Sequence, residues 1–258
     1  MLLLCASARL LAQASSPTPT PTPTPTPIPT PPAVRENLAI KYVRDSEEYA
    51  TLVREVYRAA RSAVEASPRS EGWAVVLDVD ETALDNSVYQ LERAAYGVPF
   101  AVPSWTSWVQ RAQAPAVPGV QDFVAFVHSG EPHGRVAWIT DREGSTEPAR
   151  DQEAATRANL KVAGLWADGD LLCVRRGDRK PDRRKELLAG SGACSWGTPA
   201  RVVAWVGDQM GDFPAAAEPY ADRKEEKWDE EFGRRFFLLP NPMYGRPWEQ
   251  SVTRTDFR

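Results

Sequence analysis

The chain has 258 residues, a formal net charge of −4, and 42% hydrophobic against 26% charged residues. That balance excludes a general binder of nucleic-acid polymers, which would show a basic stripe, and it leaves enough apolar residues for one α/β domain. Only two histidines occur, His128 and His133. So few nearly exclude a histidine-ligated zinc site and a histidine nucleophile, and both read as surface residues.

Residues 1–14 read as a short export signal, because the apolar stretch ends in Ala12-Gln13-Ala14, an A-x-A cleavage pattern. Arg9 interrupts the stretch and no basic start precedes it, so a start codon upstream is expected. Cys5 lacks the small residues that precede a lipoprotein cysteine. Export to the periplasm or cell envelope is therefore expected, with lipid anchoring the weaker reading. Residues 15–33 form a linker in which Pro and Thr alternate from Pro17 to Pro32. Proline lacks the N–H for helix or sheet. The segment is expected to extend as polyproline II over roughly 50 Å, as a spacer or a disordered tether.

Residues 34–258 are expected to fold, and their pattern alternates. Tyr49, Leu52, Val53, Val56, Tyr57 and Ala60 follow helical spacing from Ser46 to about Glu65. Trp73-Ala74-Val75-Val76-Leu77 is a short apolar run that reads as a buried parallel strand. An aromatic-rich stretch of loop and short helices runs from Leu84 to about Val117. Pro118-Gly119 then opens a helix to about His128. Strand two is Arg135 to Thr140, followed by a polar helix from about Glu147 to Ala163. Strand three is Asp170 to Val174, strand four Val202 to Val206 and strand five Phe236 to Leu239. Strands alternating with helices predict a doubly wound parallel sheet.

The most informative residues follow the first strand. Asp78 and Asp80 stand two apart where the chain leaves it, at the edge where open α/β sheets place ligands. Two such carboxylates repel and resist desolvation unless a cation or a retained proton intervenes. An EF-hand loop counted from Asp78 would need Gly at its sixth and Glu at its twelfth position, where Ala83 and Tyr89 stand. Other strand ends add Thr140, Asp208 and Asp212, and the segment after strand three adds lysines and arginines. Acids that hold a hard cation by oxygen, beside a hydroxyl and a lysine, form a kit for Mg²⁺-dependent phosphoryl transfer through an aspartyl-phosphate. Each residue also has a plainer explanation. Thr140 could cap a turn, Asp208 could be a turn residue, and the run Arg175 to Lys185 reads as a solvated charged face. Trp105 and Tyr244 could be core, and Asp85 and Asn86 could only shape the first loop. An exported chain could pair Cys173 with Cys194, but with no Cys-x-x-Cys the reading favours two unrelated thiols.

At these positions the chain resembles the bacterial class C acid phosphatases and lipoprotein 5′-nucleotidases of the haloacid dehalogenase (HAD) superfamily. The resemblance spans about residues 38 to 250. It rests on Ser46-Glu47-Glu48-Tyr49, the run from Asp78 to Asn86, Trp105-Thr106-Ser107-Trp108, Pro118-Gly119, Thr140-Asp141-Arg142, Thr156 with Asn159-Leu160, and Lys180 with Arg183. Gly207-Asp208-Gln209-Met210-Gly211-Asp212-Phe213 and Pro240-Asn241-Pro242-Met243-Tyr244-Gly245 complete it. It implies an α/β HAD-like Rossmannoid fold with a small, mainly helical cap from about residues 84–117 and the flanking N-terminal helix. It implies that Asp78 is the nucleophile and a Mg²⁺ ligand. Asp80 would be the acid and base and would lend its backbone carbonyl to the metal. Thr140 and Lys180 would bind the phosphoryl group, Asp208 would bind Mg²⁺ with Asp212 beside it, and Trp105 and Tyr244 would stack on a nucleobase. Three positions depart from the usual pattern: Gln209 for Asn, Gly211 for Asp, and Asp141 for Asn. The expectation is an exported acid phosphatase acting on small phosphomonoesters, nucleoside monophosphates among them, and faster below neutral pH because Asp80 must carry a proton to act as acid. A metal-binding module without turnover, built like a receiver domain, and a structural envelope protein are the alternatives.

Overall fold

Five short apolar runs line up as one parallel sheet. They are β1 (Trp73–Leu77), β2 (Arg135–Glu143), β3 (Leu171–Arg175), β4 (Arg201–Gly207) and β5 (Phe236–Leu238), in the spatial order β3-β2-β1-β4-β5. The computed structural model describes residues 37–214 and 230–245. The expected leader and Pro-Thr linker lie outside the described residues. All five residues of β1 are buried, as a central parallel strand covered on both faces requires.

Alternate residues of the strands feed two cores. Val75, Leu77, Val136 and Trp138 pack with side chains of α2 (Glu47–Ala66), α5 (Val120–Ser129) and α6 (Glu153–Val162). Val76, Ala137 and Ile139 pack on the other side with Leu187 of α7 (Lys180–Ala189) and with Phe213 and Phe236. Helical cover on both faces is what a doubly wound sheet means. Each large apolar side chain so buried contributes about 1.5–3 kcal/mol. The longest helix among the described residues, α2, starts where expected: the Ser46 hydroxyl accepts from the Tyr49 N–H at 3.0 Å, a cap that satisfies one of the orphan donors of the first turn. Its Tyr57 hydroxyl donates to the Thr82 carbonyl at 2.7 Å and ties the helix to the loop after β1.

The aromatic stretch contains α3 (Ser87–Tyr96) and α4 (Val102–Gln110), with Tyr89 packed against Phe100, Trp105 and Trp108. A short N-terminal helix, α1 (Leu38–Asp45), rests on α3.

The structure corrects several sequence readings. Strand two continues to Glu143, and the following helix begins only at Glu153, because 144–152 form a turn held by Gln152, whose amide and backbone both bond Glu143. The charged run after β3 is a solvated face only in part. Helix α7 starts inside it and buries Arg183 and Arg184, whose guanidinium groups donate to the carbonyls of Thr140, Cys173 and Gly211. Cys173 and Cys194 are a disulfide rather than separate thiols. The loop after α7 folds back over β3, a proximity invisible in the 21-residue spacing. His128 is half-buried, with its ring nitrogen 3.0 Å from Asp170, whereas His133 is exposed as expected.

Candidate active site

The order of the sheet reverses between β1 and β4, and a parallel sheet opens its ligand crevice at such a point. Asp78 comes directly after β1, and its N–H continues the ladder by donating to Val206 of β4 at 3.0 Å. Asp208 comes directly after β4, and Asp212 closes a single 3₁₀ turn, Met210–Asp212. The three carboxylates are buried, and each brings an oxygen within 4.8 Å of the other two. Gly207 makes the approach possible. A Cβ at that residue would stand 2.4 Å from Asp212 Cβ and Oδ2.

Each acid has a defined set of donors. Lys180, the first residue of α7, extends its Nζ to Asp78 Oδ1 at 2.5 Å and Asp212 Oδ1 at 2.6 Å. Asp212 Oδ2 accepts from the Gln209 N–H at 2.9 Å. Asp208 accepts from Thr82 Oγ1 at 3.3 Å and from Asn241 Nδ2 at 2.8 Å. Asn241 reaches the site because Leu239, just past β5, donates its N–H to Gly207.

One ammonium faces three buried carboxylates, and the titration behaviour follows. Burial drives the Asp78 carboxyl well above its ordinary range; Lys180 opposes the rise, while Asp212, Asp208 and Asp80 add to it. Burial, then Asp212, pushes Asp208 up to about 7, against the pull of the Asn241 amide and Lys180. Burial alone would favour loss of the Lys180 proton, yet Asp212, Asp78 and Asp141 together hold that ammonium above its ordinary range. Such a cluster relieves its repulsion by keeping a proton or by taking up a cation, and converging carboxylate oxygens suit a hard divalent one.

Asp80 lies outside this cluster, and its side chain is 19% exposed. Its Oδ1 accepts from Arg142 Nε at 2.9 Å, Arg142 Nη2 at 2.8 Å and Asn86 Nδ2 at 2.9 Å. Asn86, fully buried, also accepts from Trp108 Nε1 at 2.8 Å. Glu81, next to Asp80, is buried with a left-handed φ of 54°. It accepts from the Asn86 N–H at 3.1 Å and from the Tyr244 hydroxyl, and burial followed by Asp80 and Asp208 keeps its carboxyl well above the usual range. Trp105 on α4 is half-buried between Tyr89 and Phe100, and the Arg142 guanidinium lies 5.7 Å from its ring centre.

The structure therefore brings Asp78, Lys180, Asp208 and Asp212 into direct contact range. Thr140 is completely buried in β2, and its Oγ1 accepts from the Arg142 N–H at 3.2 Å, so it shapes the strand end rather than capping a turn. Asp85 accepts from the Ser87 N–H at 2.7 Å, as a loop-shaping residue would. Asp141 ion-pairs with Arg183 at 2.7 Å while remaining exposed. The motifs contain Arg142, Asn241 and Gly207, but the sequence assigned none of them a role. The first had a signal: Thr140 and Arg142 share one face of a strand by its two-residue period. For Asn241 between two prolines and for Gly207 the local pattern carried none.

Comparison with known proteins agrees with this geometry. Residues 9–247 match the family described as HAD superfamily, subfamily IIIB (acid phosphatase), and the chain belongs to that family. The class C acid phosphatase from Bacillus anthracis has a similar structure, with a TM-score of 0.68 and 25% identity over 84% of this chain and 90% of that one. The same bacterium's class C acid phosphatase with tungstate bound gives a TM-score of 0.65, again at 25% identity, over 85% and 90% of the two chains. A soybean (Glycine max) protein, the stem 31 kDa glycoprotein, is 28% identical over 178 residues, 66% of this chain and 58% of that protein. The chain thus spans just under three fifths of that relative's length.

Proposed function

We propose that this protein is a Mg²⁺-dependent phosphomonoesterase that works through an aspartyl-phosphate on Asp78. The observation that carries the reading is the separation of its two motif aspartates. Asp78 sits in a buried three-carboxylate cluster against Lys180, while Asp80 stands outside it with one oxygen held by three donors. Two carboxyl groups in such different surroundings suit two different tasks. Asp78, Asp208 and the Asp80 backbone carbonyl, with Asp212 beside them, would hold the ion. The residues fit it, since converging buried carboxylate oxygens are a hard-cation donor set. When bound, the ion would offset charge on the phosphoryl oxygens and on Asp78.

The chain's own groups account for both halves of the reaction. Lys180 holds Asp78 Oδ1 and leaves Oδ2 to attack phosphorus. As the ester P–O bond breaks, Asp80 gives its proton to the departing alcohol. Asp80, now a carboxylate, takes a proton from water, whose oxygen bonds to phosphorus. The phosphorus–Asp78 bond breaks, releasing phosphate and restoring both acids. Lys180 and the Thr140 hydroxyl would steady the phosphoryl oxygens. The tungstate in the Bacillus anthracis relative supports the reading, because tungstate is a tetrahedral oxyanion like phosphate. Trp105 and Tyr244, half-buried beside the Asp80 loop, would take an aromatic leaving group such as a nucleoside. The A-x-A leader and Pro-Thr spacer support export to the periplasm or cell envelope. Phosphate release from a nucleoside monophosphate and from an aryl phosphate, with Mg²⁺ or EDTA and with Asp78→Asn, tests the proposal. Metal-dependent turnover that falls by about 10⁴-fold or more in the variant supports it. No release from either ester in Mg²⁺ refutes it.

A further inference from the structure

We infer that Arg142 is a positioning residue that decides which oxygen of Asp80 exchanges protons with the leaving alcohol. This rests on the phosphatase reading above. Three N–H groups converge on Asp80 Oδ1: two from the Arg142 fork and one from the Asn86 amide. A carboxylate offers about two lone-pair sites per oxygen, so an oxygen that already accepts three donors has no room for a proton. Oδ2 has no protein donor among the described residues. The transferable proton therefore belongs on Oδ2.

The guanidinium that imposes this has no freedom of its own. The Arg142 side chain is 1% exposed. Its Nη1 donates to Thr156 Oγ1 at 3.2 Å and its Nη2 also approaches Asn86 Oδ1 at 3.4 Å. Its backbone N–H is held by Thr140 Oγ1, and its guanidinium carbon lies 5.7 Å from the centre of the half-buried Trp105 ring. Asn86 is braced in turn by Trp108. A planar fork with fixed partners sets the rotation of the carboxylate it grips, which a lysine ammonium cannot do. The Oδ2–H bond would break as the ester P–O bond breaks, so the alcohol leaves neutral. In the second half Oδ2 recovers a proton from the attacking water.

The test separates this role from simple support of the fold by leaving-group chemistry. A p-nitrophenolate departs with little protonation, whereas an alkoxide needs it. For the full chain in Mg²⁺, kcat/KM reports the steps up to departure of the alcohol. Arg142→Ala should lower kcat/KM for an alkyl phosphate about 100-fold, the lower end of what general acid catalysis supplies, but by about threefold or less for p-nitrophenyl phosphate. Arg142→Lys should remain close to Arg142→Ala on the alkyl ester, because charge without the fork is not enough. Asn86→Ala removes one of the three donors and leaves the guanidinium in place; it should show the same bias at about tenfold. Equal losses on both esters, in either series, overturn the inference while leaving the phosphatase reading intact. A wild-type protein inactive on both esters overturns the two together.

Discussion

The two sides of the crevice are built differently. On one side, Asp78, Asp208 and Asp212 follow the ends of two central strands and are buried, with Lys180 tying Asp78 to Asp212. On the other side, which the proposed function assigns to the leaving group, Asp80, Trp105 and Tyr244 come from a loop, a short helix and a post-strand segment, all half-exposed. Next to them Tyr96, Phe100, Val98 and Val102 are open to solvent. Strands hold atoms to fractions of an ångström, and loops on a scaffold vary and carry specificity. Under the proposed chemistry, the contrast assigns the attack on phosphorus to the sheet and the choice among esters to the short helices beside it.

Three changes would break or sharpen that contrast. The largest effect is expected from Gly207→Ala, which alters no charged group. The added methyl must displace Asp212, whose side chain lies 2.4 Å from its position, and overpacking of this kind also costs about 1–3 kcal/mol of stability. Turnover of every ester should fall by about 100-fold, in line with the cost of small misplacements, together with the Mg²⁺-induced rise in melting temperature. If nucleotide turnover fell and aryl phosphate turnover did not, the two sides would not be separable as drawn. Trp105→Ala should act on the other side alone. With a stacking contribution of about 1–3 kcal/mol, kcat/KM for a nucleoside monophosphate should drop by about tenfold, with a small alkyl phosphate nearly unaffected. Equal losses on both would place Trp105 in the support of Arg142 rather than in substrate contact.

The smallest effect concerns stability without metal. Asp208 has its folded carboxyl pushed up to about 7, so between its ordinary range and that value the folded state binds more protons than the unfolded one. Its contribution is present at low pH and lost as pH rises through about 7. In EDTA the melting temperature should therefore decline from pH 5.5 to 7.5, and Mg²⁺ should flatten or reverse that slope. A melting temperature that rises with pH in EDTA would mean that Lys180 outweighs the mutual repulsion of the acids.

Much of the frame was legible from residue patterns. The run Trp73 to Leu77 is β1 to the residue, α2 begins at Ser46 as expected, and Asp78 and Asp208 directly follow their strands, with Asp212 one turn further on. These are local features: a strand or helix announces itself through side chains two or three to four residues apart. Residue types at strand ends then announce the chemistry.

What the pattern could not reveal depends on approach from far along the chain. Among seven lysines and arginines between Arg175 and Lys185, composition does not distinguish Lys180; the start of α7 aims that one at Asp78, 102 positions away. Cys173 meets Cys194 only because the chain returns over β3. Arg142 grips Asp80 across 62 positions, and Asn241 reaches Asp208 across 33. The sequence by itself determined the five strands, the helices α2, α5 and α6 in outline, and which acids follow the strands, because these follow from neighbours along the chain. Only the tertiary structure decided which cation, amide and sulfur meet them, because those contacts follow from strand order, register and crossover packing, which no local period records.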